Sequence, residues 1–222
     1  MIKKNKFLVI ATFVVTLMPL FAGLILWNRL PDMIATHFNM NNEPDGWTSK
    51  AGTVFGIPVF MCAMQAICLW ATSADPRKKN ISEKAFKIVI WIIPACSLIV
   101  CVASYGMTLG LSIDLGTIVC LFLGILFIVL GNIMPKNQDN FTFGIKTPWA
   151  LSDPDNWNFS NRLAGYCFVI GGVLILLTAL TGKLVLVLPI VIIMALVPTI
   201  ASYVYYLKHK GDAPEDKTDE EK

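Results

Sequence analysis

Residues 163–207 read LAGYCFVIGGVLILLTALTGKLVLVLPIVIIMALVPTIASYVYYL, forty-five residues with one charge, Lys183. A helix needs about 20 apolar residues to cross the hydrocarbon core of a bilayer. The stretch therefore holds two crossings, Leu163–Thr181 and Leu184–Leu207, joined by Gly182 and Lys183 as a tight helical hairpin. Toward the N-terminus the same reading returns Phe7–Asn28, Gly52–Thr72, Ile88–Leu109 and Gly116–Met134, none of which contains Asp, Glu, Lys or Arg. A charge at the centre of such a helix costs about 2.5–3.5 kcal/mol on insertion scales. The sequence thus predicts an all-α polytopic membrane protein, a bundle of six transmembrane helices. With 55% hydrophobic and 15% charged residues, the 222-residue chain leaves no room for a separate soluble domain. Residues 1–134 hold the first four spans with a long loop at 29–51. Residues 135–207 hold a second long loop and the last two spans, and 208–222 read as a disordered polar tail.

Basic residues in short loops stay in the cytoplasm. With the N-terminus inside, fifteen of the eighteen Lys and Arg residues fall on the inner side, and only Arg29, Lys50 and Lys183 fall outside. Both termini are therefore expected in the cytoplasm, in a multi-pass membrane protein. The first span is longer than a signal-peptide core and lacks a clear small-x-small cleavage site, so it reads as an uncleaved helix. Cys62, Cys68, Cys96, Cys101, Cys120 and Cys167 all fall inside spans and read as small apolar residues, not as a disulfide or metal framework. Pro19, Pro58, Pro94, Pro189 and Pro198 are kink candidates. Gly124 and Gly171-Gly172 allow close helix approach.

Two loops carry more information than connection requires. The outer one, 29–51, reads RLPDMIATHFNMNNEPDGWTSKA. Pro44-Asp45-Gly46 predicts a turn, with Pro presetting φ and Gly supplying a positive φ. Trp47 then stands at interfacial height. Asp32, His37, Asn39 and Asp45 are candidate binding residues here. His37 has no second histidine on its side of the membrane, so no metal site is expected. The inner loop, 135–162, reads PKNQDNFTFGIKTPWALSDPDNWNFSNR and follows Asn132. Gly144 predicts a turn, and Lys146-Thr147-Pro148-Trp149 an extended or turning segment, since the residue before Pro avoids the helical region. Asp153-Pro154 reads as an N-cap with Pro at the first helical position. Trp149 and Trp157 at membrane level, with Lys146 and Arg162 reaching lipid phosphate, would form an anchor. Arg162 is also placed to pair with Asp153, Asp155 or a carbonyl.

In these loops the chain resembles the SdpI family of bacterial immunity proteins against a secreted sporulation-delaying peptide toxin. The outer loop is similar to the family's N-terminal domain of unknown function through Leu30-Pro31, His37-Phe38-Asn39 and Asp45-Gly46-Trp47. The inner loop is similar to its C-terminal signature through Gly131-Asn132, Pro135, Asn137, Gly144-Ile145-Lys146-Thr147-Pro148-Trp149, Trp157, and Arg162 with Gly165. The family has Arg where Lys146 stands and Thr-Leu where Ala150-Leu151 stand. Lys keeps the charge but loses the planar fork of donors. The resemblance implies six membrane helices and immunity, and a receptor role in which the toxin-engaged protein recruits a cytoplasmic repressor. Expected partners are membrane lipids, a toxin peptide outside and a repressor inside, with no direct nucleic-acid binding and no cofactor. The alternative function is a small transporter or lipid-handling protein. Ion-coupled transporters place ionisable groups in their spans, and these spans offer only Gln65, Asn132 and scattered Ser and Thr. No span supplies the paired carboxylates or the nucleophile and base that an intramembrane enzyme needs, so no catalytic residue is expected.

Overall fold

The computed structural model describes residues 1–39 and 41–209. Met40 and residues 210–222 lie outside the described residues, and with them most of the expected tail. Among the described residues, six helices are long and apolar enough to cross a membrane: Lys3–Ile25, Gly52–Ala74, Glu83–Gly106, Leu115–Lys136, Pro154–Thr181 and Leu184–His209. All six expected spans are present. In chain order the elements are α1 (Lys6–Ile25), strands β1 (Met33–Phe38) and β2 (Pro44–Ser49), α2 (Ile57–Ala74), α3 (Glu83–Val89) and α4 (Ile92–Cys101). They are followed by α5 (Leu115–Ile133), a short α6 (Pro148–Ser152), α7 (Pro154–Thr181) and α8 (Val187–His209). Lys208 and His209, expected in the tail, instead close α8. The strands and the segment 107–114 lie at one end of the bundle, the hairpin end. The connections 75–82 and 134–153 lie at the other, the loop end.

The helices form two groups. In the first, α1 packs on α2 and α4; in the second, α7 packs on α5 and α8. Ile133 of α5 joins them by entering a cluster with Leu69, Ile81, Ala85, Phe86 and Ile90. Glycines set the closest crossing. A Cβ on Gly124 would stand 2.9 Å from the Gly172 carbonyl oxygen, and one on Gly131 would stand 2.7 Å from that of Gly165. The antiparallel α5 and α7 therefore meet backbone to backbone at two levels one heptad apart. Apolar lipid gives helices no hydrophobic drive to associate, so this contact rests on packing.

Of the proline kink candidates, Pro94 breaks its span. In an unbroken helix the N–H four residues on would bond the Ile90 carbonyl, and that residue is Pro94, which has none. The chain turns at Ile90 and Trp91, between α3 and α4. Gln65 of α2, 1% exposed, fills the vacancy: its Nε2 donates to the Ile90 oxygen at 3.0 Å and to Thr12 Oγ1 of α1 at 3.1 Å. Pro19 and Pro198 lie inside unbroken helices. Pro58 follows a π-helical turn at Gly52–Gly56.

Candidate functional site

At the hairpin end, β1 and β2 pair antiparallel, with Met33 opposite Ser49 and Ala35 opposite Trp47. A register shift follows, which sets His37 opposite Gly46 and Phe38 opposite Pro44. The expected turn at Pro44-Asp45-Gly46 is not where the chain reverses: these residues open β2, and Gly46 does not adopt positive φ. The reversal lies at Asn39–Glu43. The Asn39 side-chain oxygen accepts from the backbone N–H of Asn41 at 2.9 Å and of Glu43 at 3.0 Å, and Asn42 takes φ +61°. An Asx turn and a left-handed Asn supply the geometry that the Pro-Asp-Gly motif advertised. Ile34 anchors the hairpin, fully buried against Leu30, Val54 and Tyr105.

Asn42 also reaches across to the start of α5. Its Nδ2 donates to Asp114 Oδ1 at 2.9 Å, and its Oδ1 accepts from the Gly116 N–H at 3.2 Å. Asp114 caps α5, accepting from Thr117 Oγ1 at 2.6 Å and from the Thr117 N–H at 3.1 Å. The Thr117 hydroxyl foremost, then the Thr117 N–H and Asn42, hold the Asp114 carboxyl below the ordinary carboxylate range. This clip closes one side of an open groove of about 800 Å³, whose lining includes Met33, Phe38, Trp47, Met107, Leu111 and Asp114.

The candidate residues of the 29–51 loop are thus split. Trp47, 56% exposed, lines the groove. His37 Nδ1 meets Asp45 Oδ1 at 2.5 Å on the exposed surface. Asp32 faces Lys50 at 3.5 Å, and the Lys50 ammonium lies over the Trp27 ring. Among the described residues no three of His, Cys, Asp and Glu gather as a metal site would require.

The loop end is a folded platform built on asparagines. Asn137 ties three helices together. Its Nδ2 donates to the Ile133 carbonyl at 2.7 Å, its Oδ1 accepts the Ser82 N–H at 2.8 Å, and its backbone oxygen accepts from Trp157 Nε1 at 2.9 Å. Gly144, at φ +122°, rests on the Trp157 ring, where a Cβ would come within 2.9 Å. The next residue, Ile145, gives its N–H to Asn161 Oδ1 at 2.8 Å. Lys146 Nζ turns back to the Phe141 carbonyl at 3.1 Å. Thr147 is extended, as a residue before Pro should be, but Pro148 starts α6 where an extended or turning segment was expected. Asp153 caps α7 by accepting the Asp155 N–H at 2.9 Å, and Pro154 opens that helix as the sequence predicts.

A second network fastens the platform to α8. Trp149 Nε1 donates to Ser202 Oγ at 2.9 Å, Thr147 Oγ1 lies 3.3 Å from the same oxygen, and Ser202 donates to Asn156 Oδ1 at 2.7 Å. Ser160 donates to the same Asn156 oxygen at 2.8 Å, and Asn156 Nδ2 returns to the Ser202 carbonyl at 3.1 Å. The connection between α2 and α3 supplies the third wall. Asp75 Oδ2 accepts from the Phe141 N–H and from Thr142 Oγ1, and Arg77 pairs with Asp139. Among the described residues every buried side-chain nitrogen and oxygen has a partner.

This arrangement corrects the anchoring expectation. Trp157 is 1% exposed and does not face lipid, and the indole N–H groups of both Trp149 and Trp157 are committed inside the chain. Arg162 is exposed on α7 and makes no hydrogen bond or ion pair among the described residues, so the expected pairing with Asp153, Asp155 or a carbonyl is absent. Asn132 is exposed as well, 3.4 Å from Lys136 Nζ. Sequence reasoning passed over Asp75, Asn140, Asn156, Asn161 and Ser202, all buried. A signal for two of them was present: Asn156 and Ser160 stand one turn apart, and Ser202 interrupts an apolar span.

Two family matches fall on these two ends. Residues 9–62 match a domain of unknown function, DUF1648, covering α1, the hairpin and the start of α2. Residues 136–202 match the SdpI/YfhL protein family, from the platform through Ser202. The chain is 29% identical over 216 residues to the Immunity protein SdpI of Bacillus subtilis (strain 168), covering 94% of this chain and 99% of that protein. No solved structure matches it. The likeness carried by the two loops thus extends to a similarity along nearly the whole chain, which matches DUF1648 at 9–62 and the SdpI/YfhL family at 136–202 and is similar to that immunity protein. With its six apolar helices, this similarity makes it a multi-pass protein of the bacterial cell membrane.

Proposed function

We propose that this chain is a non-enzymatic membrane immunity protein that protects the producing cell or a neighbour from a secreted antimicrobial peptide. Both termini lie in the cytoplasm, the hairpin end faces outward, and the loop end presents a surface that recruits a cytoplasmic repressor. The observation that carries the reading is the match along 94% of the chain to an immunity protein. The distribution of Lys and Arg supports the orientation. The internal bonding of the loop end supports a recruiting role, because a preformed surface loses little ordering entropy on binding.

The test is expression in a bacterium killed by the sporulation-delaying peptide. Cells carrying the chain should survive concentrations that kill the empty-vector control. Equal killing, with the protein verified in the membrane fraction, refutes the immunity reading. Cysteines introduced one at a time test the orientation: in intact cells a reagent that does not cross the membrane should label position 41 and spare position 138. Labelling of position 138 reverses the orientation.

A further inference from the structure

The groove at the hairpin end has the composition of a site for a cationic apolar peptide. Its volume of about 800 Å³ lies within the range of roughly 300–1,000 Å³ typical of ligand pockets. Met33, Phe38, Trp47, Met107 and Leu111 make an apolar floor and walls. Methionines fill irregular gaps and adapt to different partners. Charge at the mouth decides which apolar partner fits. Of the hairpin carboxylates, Asp32 faces the Lys50 ammonium and Asp45 is bonded to the His37 ring. Asp114 and Glu43 have no cationic partner among the described residues. Asp114 is bonded by Asn42 and Thr117, Glu43 by the Asn39 amide at 3.1 Å, and all of these donors are neutral. Asp114 lines the groove, and Glu43 stands in the chain between two lining residues, Asn42 and Pro44. Such a mouth repels the phosphate of an anionic lipid and attracts an ammonium or guanidinium group.

We propose that this groove binds an apolar peptide segment carrying a basic residue, with the apolar side chains against Trp47, Phe38 and the two methionines and the cation drawn to Asp114, with Glu43 adding to the negative charge nearby. The proposal rests on the immunity reading for the identity of the peptide, as the toxin. The groove's chemistry stands apart from that reading.

The experiment uses the full chain in lipid nanodiscs and two synthetic Leu/Ala-rich helical peptides bearing a brominated leucine. One ends in a Lys pair and the other in a Gln pair. Bound peptide should quench tryptophan fluorescence, and Trp47→Phe should remove most of the quenched signal, which locates the peptide in the groove. The Lys peptide should bind about three- to tenfold more tightly than the Gln peptide, the range expected of two exposed ion pairs. The double variant Glu43→Gln, Asp114→Asn should abolish that preference. Asn caps a helix as well as Asp does, and Gln still accepts from Asn39, so the variant keeps the fold.

Equal binding of the two peptides to the unaltered chain overturns the proposal. So does a Lys preference that survives the double variant, or quenching that Trp47→Phe leaves intact. Cell protection separates this failure from failure of the immunity reading. If the peptides behave as expected but the chain protects no cell, immunity falls and the groove stands. If the chain protects cells while the peptides show no preference, the groove falls and immunity stands.

Discussion

The bond from Gln65 to the Ile90 carbonyl is an unusual place to put an amide, and a double-mutant cycle can establish why it is there. Gln65→Leu removes both donors at nearly constant volume. The interhelical bond to Thr12 contributes about 0.6 kcal/mol, the average found for such bonds in membrane bundles. The bond to Ile90 contributes more, because its loss strands a carbonyl that Pro94 cannot serve, and a buried unpaired polar group costs about 1–3 kcal/mol. The leucine recovers part of this by ending the burial of an amide. A net destabilisation of about 1–3 kcal/mol follows in the unaltered chain.

Pro94→Ala restores the missing N–H within the helix, so Ile90 no longer depends on α2. In that background Gln65→Leu should cost only about 0.6 kcal/mol. The coupling between the two sites should therefore be about 1–2 kcal/mol. Reversible SDS unfolding in mixed micelles, followed by circular dichroism, measures all four corners of the cycle. Independent sites add within about 0.3–0.5 kcal/mol. An equal cost of Gln65→Leu in both backgrounds, within that margin, refutes the idea that Gln65 stands in for the missing donor.

Gly131→Ala should lower stability by about 1–3 kcal/mol, the usual cost of overpacking, since its Cβ would come 2.7 Å from the Gly165 carbonyl oxygen; the same SDS titration reads it. Gly46→Val should loosen the hairpin, because a Cβ there would stand 2.8 Å from His37 Cβ across the ladder; faster amide exchange over residues 33–49, with the spans unchanged, is the expected result. Arg162→Lys should leave the unfolding midpoint unchanged, as the guanidinium has no partner among the described residues, and reduced cell protection in that variant would place its role outside the chain. Because hydrogen bonds depress the Asp114 carboxyl in the folded state, the stability it lends is present above the ordinary carboxylate pKa and is lost as pH falls through the lowered folded value. Protection of the hairpin-tip amides, measured relative to their intrinsic exchange rate at each pH, should therefore fall only on acidification through that window, and Asp114→Asn should flatten the response.

The six spans were legible because composition alone decides them: a stretch of about 20 residues without charge has few other fates. The start of α7 was legible for a local reason, since Asp153 and Pro154 each favour one position at a helix N-terminus. The hairpin turn was misplaced because Pro-Asp-Gly has a turn preference that tertiary structure overrode. Burial of Ile34 and the clip from Asn42 to Asp114, 72 residues away in sequence, fix the reversal at Asn39–Glu43 and force Pro44-Asp45-Gly46 into the ladder. The asparagine platform was illegible for the converse reason. An asparagine names no partner, and Asn137 finds Ser82 across 55 residues while Asn156 finds Ser202 across 46.

Those long-range bonds also sort the candidate residues into two kinds. Asn137, Gly144, Thr147, Trp149 and Trp157 spend their polar groups or their backbone freedom holding the platform together. They shape the surface more than they meet a partner. Asn132, Lys146, Pro148 and Arg162 remain exposed, and of these Lys146 is partly engaged by loop carbonyls. A variant in the first set should therefore lose stability and function together. A variant at Arg162 or Asn132 can lose function alone, and that separation is what distinguishes a recruiting surface from a scaffold.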